Sequence, residues 1–460
     1  MVDTGKEKDP FPGCENAQWL FVNVFPSLTY VAETADSRPQ YRGSRPVADG
    51  RGGPMISVSK LLCDLDAEGD GLRYDAADES DREQIRAEKQ RRPVVVWNTT
   101  KQCNLYCDHC YAAADTECAP GELSTTEGKR LLDDLADYGV PVVLFSGGEP
   151  LVREDLEELV AYAADAGIRP VLSTNGTLIT EERARDLKAA GLKYAGVSVD
   201  GLPERNDAFR GEEGAFDAAL RGIEACQSAG LKTGLRYTIT EANADDLEDV
   251  VALLHEAGLD RFCFYHLDYG GRGDEIRDVD LTPAERREAV RTVCDMTREY
   301  HARGEEIETL LVGNYADAGF LVEYAREHLS EAAAERIYRY LQVNGGDPTG
   351  ERVADVDYQG NVHLTQFWQN YSLGNVRDRP FGAIWEDESN PLLRKLRNRE
   401  AHLKGKCADC AYQSVCRGGS RLRALSVHDD PFAPDPQCYL HDDEIEGGSP
   451  VFDTGPEPAD

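Results

Sequence analysis

Six short apolar segments, each followed by a helical pattern, constrain this chain more than any other feature of it. Pro93-Val-Val-Val-Trp97, Val142-Val-Leu-Phe145, Pro170-Val-Leu-Ser173, Tyr194 to Val199, Thr233 to Ile239 and Arg261 to Tyr265 read as strands. One intervening stretch opens with Ser124-Thr-Thr-Glu127, a capping box that starts a helix, and then puts Leu131, Leu132 and Leu135 on one face. Another carries Leu247, Val250, Val251 and Leu254 at helical spacing. Strands that alternate with helices build parallel βα units. The predicted fold is therefore α/β, a partial barrel or open sheet of six units over residues 93–280.

The flanks read differently. Residues 55–92 are a lead-in, 281–345 a helical connector, and 346–442 a short, irregular, cysteine-bearing second domain. Residues 443–460 read as a disordered acidic tail. Residues 1–54 hold 6 basic and 7 acidic residues, whereas the whole chain holds 50 and 85, a net charge of −35. The acidic bias thus begins near Met55, and the Arg-, Gly- and Pro-rich run before it reads as loop or disorder. Met55 is the expected start, with 1–54 a dispensable or non-native extension.

A charge of −35 opposes nucleic acid and anionic membrane as broad partners. No run of 18 apolar residues and no secretory pattern is present, so a cytoplasmic location is expected. The composition resembles that of salt-in halophile proteins. In molar salt the Debye length shrinks to roughly 3 Å, and dense surface carboxylates repel one another little.

The 13 cysteines fall into two groups and six isolated positions. Cys14, Cys63, Cys118, Cys226, Cys263 and Cys294 read as small buried hydrophobes. Cys103-Asn-Leu-Tyr-Cys107-Asp-His-Cys110 follows the first strand, where loops of a parallel barrel carry function. Three thiolates suit a four-iron cluster with one open iron, zinc being the other reading. Cys407, Cys410, Cys416 and Cys438 could ligate a cluster completely, or tetrahedral zinc.

The first group, together with Ser146-Gly-Gly-Glu-Pro150, Ser173-Thr-Asn-Gly-Thr177, Ser198-Val-Asp-Gly201 and Arg236, each at or near a strand end, resembles the radical S-adenosylmethionine (SAM) superfamily. The resemblance implies a [4Fe-4S] cluster on Cys103, Cys107 and Cys110 whose open iron binds SAM. It implies SAM contacts from Gly147, Gly148, Glu149, Ser173, Asn175, Ser198, Asp200 and Arg236. Glycine backbone would approach the ligand closely, Glu149 would accept from the ammonium, and Arg236 would meet the methionine carboxylate. His109 would pack against the cluster. The second group resembles the SPASM or twitch extension, which implies an auxiliary [4Fe-4S] cluster on Cys407, Cys410, Cys416 and Cys438. No cysteine lies near Gly360-Asn-Val-His363, where a full extension would carry one, and Ser420 stands where the spacing would want another, so one auxiliary cluster is expected rather than two; Asp355 stands at a position often held by cysteine, a departure that bears on the chemistry.

Longer segments resemble the haem-biosynthesis subgroup: Phe264-Tyr-His-Leu-Asp-Tyr-Gly-Gly-Arg-Gly273, Gln366-Phe-Trp368, Gly374-Asn-Val-Arg377 and Cys416-Arg-Gly-Gly-Ser-Arg-Leu-Arg-Ala424. That likeness covers nearly all of residues 55–442. It implies an iron tetrapyrrole substrate, loss of two acetate groups from 12,18-didecarboxysiroheme to give Fe-coproporphyrin III, and an electron donor such as ferredoxin or flavodoxin. Tyr265, His266 and Arg272 are the expected substrate-side catalytic residues, and Arg210 a further cation for substrate carboxylates. The alternatives are Fe-coproporphyrin decarboxylation, synthesis of the nitrite-reductase haem, peptide maturation, or a non-catalytic haem or iron–sulfur binder.

Overall fold

The computed structural model describes residues 55–67, 70–74 and 92–446. The expectations for residues 1–54, for 75–91 of the lead-in and for the tail beyond 446 lie outside the described residues. Within the described part of that tail, Asp442–Ile445 form a short helix.

Eleven strands among the described residues make one sheet: β1 (Ile56–Ser57), β2 (Val94–Asn98), β3 (Val142–Ser146), β4 (Arg169–Thr174), β5 (Tyr194–Ser198), β6 (Thr233–Ile239), β7 (Arg261–His266), β8 (Glu308–Val312), β9 (Val353–Val356), β10 (Asn361–His363) and β11 (Ser372–Asn375). Their order is β1-β8-β7-β6-β5-β4-β3-β2-β9-β10-β11. From β2 to β8 each strand lies parallel to the next in sequence, so the strands end on one common edge. Asn98, Ser146, Thr174, Ser198, Ile239 and His266 are the last residues of β2 to β7 on that edge.

Local sequence explains the packing. The predicted capping box forms: Ser124 accepts the Glu127 N–H, Glu127 accepts the Ser124 N–H, and Leu131, Leu132 and Leu135 of the helix that follows are buried. Trp97 of β2 is wholly buried and packs on Phe145 at 5.6 Å between rings. A Cβ on Gly128 would come within 2.6 Å of the Trp97 ring, so this helix sits on the sheet at glycine distance. Cys226, Cys263 and Cys294 are buried as expected of small apolar side chains, whereas Cys63 is only partly buried.

Two expectations need correction. The connector 281–345 is not all helical, because β8 runs through it parallel to β7. All five β8 residues are buried, but two of them are the polar Glu308 and Thr309, so the segment shows neither the alternation of a half-buried strand nor a continuous apolar run. The segment 346–442 is less separate than expected. It extends the barrel sheet, with β9 parallel to β2 in the register Val96 to Asp355, and β10 and β11 antiparallel beyond it. A small apolar cluster of its own, including Leu364, Trp368, Leu393, Leu396, Leu422 and Phe432, lies beyond this seam.

The helix Ala215–Ser228 crosses the loop after β4 at Gly222, where a Cβ would sit 2.2 Å from the Gly176 carbonyl oxygen. Replacing a helix-interior glycine by alanine adds about 1 kcal/mol of helix stability, but overpacking costs about 1–3 kcal/mol. Gly222→Ala is expected to lower the chemical-denaturation midpoint, since the atom struck is backbone and cannot rotate away. A raised midpoint would mean that helix propensity dominates at this crossing.

Candidate active site

The site is built where the loops after β2 and β3 are zipped together by backbone. Gly148 N–H donates to Thr100 O and Glu149 N–H to Gln102 O, each at 2.8 Å. A Cβ on Gly147 would meet Thr100 O at 2.5 Å, and one on Gly148 would meet Gln102 O at 2.1 Å. These glycines are therefore required by the cysteine loop itself, a nearer cause than the expected approach to a ligand. The far side of that loop is tied to residues 209–210, through Tyr106 N–H to Arg210 O and Asp108 N–H to Phe209 O, both 3.2 Å.

Each thiol of the loop receives an N–H. Leu105 N donates to Cys103 Sγ and Ala114 N to Cys110 Sγ at 3.4 Å, Arg210 Nη1 to Cys107 Sγ at 3.7 Å, and Asn175 Nδ2 to Cys103 Sγ at 3.9 Å. Burial pushes the Cys103 thiol up to about 12 and the Cys107 thiol in the same direction. Thiolates here need a strongly electropositive centre to balance them, as iron does. Among the described residues no three His, Cys, Asp or Glu side chains converge as they would on a single metal ion. The three cysteines instead border a common cavity of about 150 Å³. The donor set fits a three-cysteine iron–sulfur cluster on the cavity wall.

The cavity wall also includes Gly147, Gly148, Ser173, Asn175, Ser198, Arg236, Tyr265, His266 and Arg272. Arg236 reaches from β6 to the Ser173 hydroxyl and, through Nε at 3.1 Å, to the Tyr265 hydroxyl of β7. Asn175 hydrogen-bonds Asn104 of the cysteine loop at 2.9 Å.

Several expected contacts are elsewhere. Glu149 does not border the cavity. Its carboxylate is fully buried and accepts from Leu151 N (3.1 Å), Thr174 Oγ1 (2.8 Å) and Asn175 N (2.8 Å), tying the β3 loop to the β4 loop. Asp200 is likewise wholly buried, accepting Thr238 N–H at 2.6 Å and pairing with Arg210. Arg210 borders the cavity, but its charge is spent on Asp200 and Cys107. Arg272 clasps the cysteine loop: Nε donates to Cys107 O at 2.9 Å and Nη1 to Ala114 O at 2.7 Å. His109 stacks on Phe209 at 4.4 Å between rings.

His266 is a satisfied core histidine rather than an available acid. Its Nδ1 faces Arg286 Nη1 at 2.7 Å and its Nε2 faces Asp317 Oδ2 at 3.0 Å. Arginine can only donate and a carboxylate only accept, so the ring is a neutral Nε2–H tautomer. Burial lowers its pKa in keeping with that. Sequence reasoning missed the wall residues Tyr111, Asp268 and Phe367. Asp268 lies just past the end of β7 and, like Phe367, inside a segment that resembles the haem-biosynthesis subgroup, which were the signals for it.

A second, smaller pocket is bordered by Cys407, Cys410, Cys416 and Cys438 together. Tyr412 N–H donates to Cys410 Sγ at 3.4 Å. Burial, then the neighbouring Cys438, Cys407 and Cys410 sulfurs, push the Cys416 thiol well above its usual range. Four thiols in a closed, electrostatically coupled set fit an iron–sulfur cluster with no open position. Ser420 is not a ligand candidate; it caps the helix Arg421–His428 and bonds Asp268.

Residues 97–254 match the radical SAM superfamily, and residues 348–411 match SPASM, an iron-sulfur cluster-binding domain. The chain belongs to the radical SAM superfamily: it is an enzyme whose barrel domain binds a [4Fe-4S] cluster and SAM and whose SPASM domain binds auxiliary iron–sulfur. It is 47% identical over 395 residues to the Fe-coproporphyrin III synthase of Methanosarcina barkeri, covering 85% of this chain and 99% of that protein. It is 39% identical to the pre-heme d1 synthase of Dinoroseobacter shibae, covering 76% and 86%. Among solved structures, Streptococcus suis SuiB bound to precursor peptide SuiA shares the fold with a TM-score of 0.62 at 18% identity, covering 82% of each chain.

The buried group Arg286–His266–Asp317 extends to Tyr439, whose hydroxyl meets Asp317 Oδ1 at 2.5 Å. Breaking one member of such a set costs about 3–5 kcal/mol. Asp317→Ala is expected to lose stability on that scale in urea unfolding, and Asp317→Asn clearly less. Equal, small losses from both would show that the carboxylate is not what holds this group together.

Proposed function

We propose that this enzyme removes two acetate side chains from 12,18-didecarboxysiroheme to give Fe-coproporphyrin III. The observation that carries this reading is 47% identity along 99% of the length of the Methanosarcina barkeri Fe-coproporphyrin III synthase. A cavity bordered by the three-cysteine loop and by Ser173, Asn175, Arg236 and Tyr265 supports a site at which cofactor and substrate meet. In this reading Cys103, Cys107 and Cys110 hold the SAM-binding cluster, and Cys407, Cys410, Cys416 and Cys438 hold a single auxiliary cluster. The first cluster and SAM supply hydrogen-atom abstraction.

The chain's own residues do the positioning. Gly147 and Gly148 are locked onto the cysteine loop and offer backbone carbonyls to an ammonium. Ser173, Asn175 and Ser198 face the same space as polar contacts, and Arg236 supplies a cation for the SAM carboxylate. Glu149, Asp200 and Arg272 act behind this layer by fixing the loops. Tyr265, held by Arg236, is the retained substrate-side residue of the three first expected. We further propose a cytoplasmic enzyme working at high salt with ferredoxin or flavodoxin as donor. The net charge of −35 supports the salt assignment, and no helix among the described residues is long and apolar enough to cross a membrane.

The test is an anaerobic reaction in high salt of reconstituted protein, SAM, reductant and didecarboxysiroheme, followed by mass spectrometry. Loss of two acetate units with formation of 5′-deoxyadenosine is expected. Cys107→Ser should reduce deoxyadenosine at least about a thousandfold, as losing an essential catalytic group does. Cys416→Ser should leave the SAM-binding cluster's spectroscopic signature in place. Deoxyadenosine without a change in substrate mass would refute the substrate assignment while leaving the enzyme class intact.

A further inference from the structure

One carboxyl on the cavity wall has no part in the roles above. Asp268 lies two residues past the end of β7 and borders the same cavity as Cys103, Cys107 and Cys110. It is half-buried by exposed area yet surrounded by protein, because its exposure is to the cavity. Its oxygens accept the Tyr269 N–H at 2.9 Å and the Ser420 hydroxyl at 3.2 Å.

Behind Ser420 stands Asp435, which accepts the Ser420 N–H at 2.7 Å and borders the C-terminal cysteine pocket. Asp268 is thus on the wall between the two cysteine sites. The charged groups facing it are Arg423 and Asp435, with the phenol of Tyr315 nearby. Arg423 is already committed. It forms a fork on Asp435 at 3.0 and 2.7 Å and donates to Leu267 O at 3.0 Å. Asp268 therefore sees a cation whose charge is largely cancelled. Burial pushes its carboxyl up to about 6, Asp435 adds to the rise, and Arg423, the Tyr269 N–H and Ser420 oppose it.

The substrate class assigned above, on which this inference rests, carries several carboxylates. Two carboxylates brought together in an enclosed site cannot both stay ionised. We propose that Asp268 contacts the tetrapyrrole directly and shares one proton with one of its side-chain carboxyls. The proton comes from solvent when the substrate binds. One O–H bond forms on Asp268, nothing is oxidised or reduced, and the resulting carboxylic acid donates a hydrogen bond to the substrate carboxylate. Asp268 then selects which edge of the macrocycle enters first, turning what would be repulsion into an anchor.

Calorimetric binding of 12,18-didecarboxysiroheme to the reconstituted full-length protein tests this. The titration is run without reductant in two buffers of different ionisation enthalpy. The wild type is expected to take up about one proton per tetrapyrrole at about pH 7.5, falling toward zero at about pH 5, where Asp268 already holds its proton. Asp268→Asn should bind with that uptake lost. Ser420→Ala removes a donor that favours the carboxylate, so it should keep the uptake and move its midpoint to higher pH. The Ser420 variant also carries the test if Asp268→Asn fails to fold. Binding with equal uptake in wild type and Asp268→Asn, or an unmoved midpoint in Ser420→Ala, overturns the role of Asp268 while leaving the substrate class standing. Absence of tetrapyrrole binding by the wild type overturns the substrate class, and this inference with it.

Discussion

Everything chemical in this chain depends on a backbone contact with no room for side chains. The loop carrying Cys103, Cys107 and Cys110 lies against the Ser146–Glu149 loop through Gly148 N–H to Thr100 O and Glu149 N–H to Gln102 O. Any Cβ on Gly147 or Gly148 would strike that loop's backbone. The contact fixes the cysteines relative to β3, and the parallel sheet fixes β3 relative to the other strand ends. Glu149 carries the connection one strand further by accepting from Thr174 and Asn175. Arg272 closes the loop from the opposite side of the barrel. The site is a ring of loops, each held by its neighbour.

Charge follows a matching rule. A chain with net charge −35 still buries Arg286, Arg399, Arg421 and Arg423 almost completely. Arg286, Arg399 and Arg423 meet the carboxylates of Asp280, Asp347 and Asp435, and Arg421 bonds backbone carbonyls of Pro431 and Ala433. The acidic excess is therefore a property of the outside. Inside, these cations are matched, whereas Glu149, Asp355 and the cavity-wall Asp268 are held by N–H or O–H donors rather than by a cation.

What the sequence revealed and what it hid divide along the range of the interactions. The six strands and the capped helix at Ser124 were legible because their patterns are local. The cysteines were legible because few side chains can ligate iron and their spacing is short. The roles of Glu149, His266 and Arg272 were not, since their partners lie far away in the chain: Asn175 for the first, Arg286 and Asp317 for the second, Cys107 and Ala114 for the third. A motif residue at a strand end could equally face the ligand or brace a loop, and only the fold decides. β8 escaped because its run, Glu308-Thr-Leu-Leu-Val312, opens on two buried polar residues and so shows neither alternation nor the apolar run that announced β2 and β3.

The parallel pairing of β9 with β2 has a consequence for how such proteins can change over time. The C-terminal cysteine region is not strung on a linker but sewn along the first barrel strand, next to the loop that bears Cys103. A graft of this region from another protein would have to bring a strand whose hydrogen-bonding register and inward side chains suit Val94–Trp97. Drift in one half is thereby disciplined by the other. The two halves should be inherited as a pair, with variation collecting in the outer hairpin of β10 and β11 rather than along the seam.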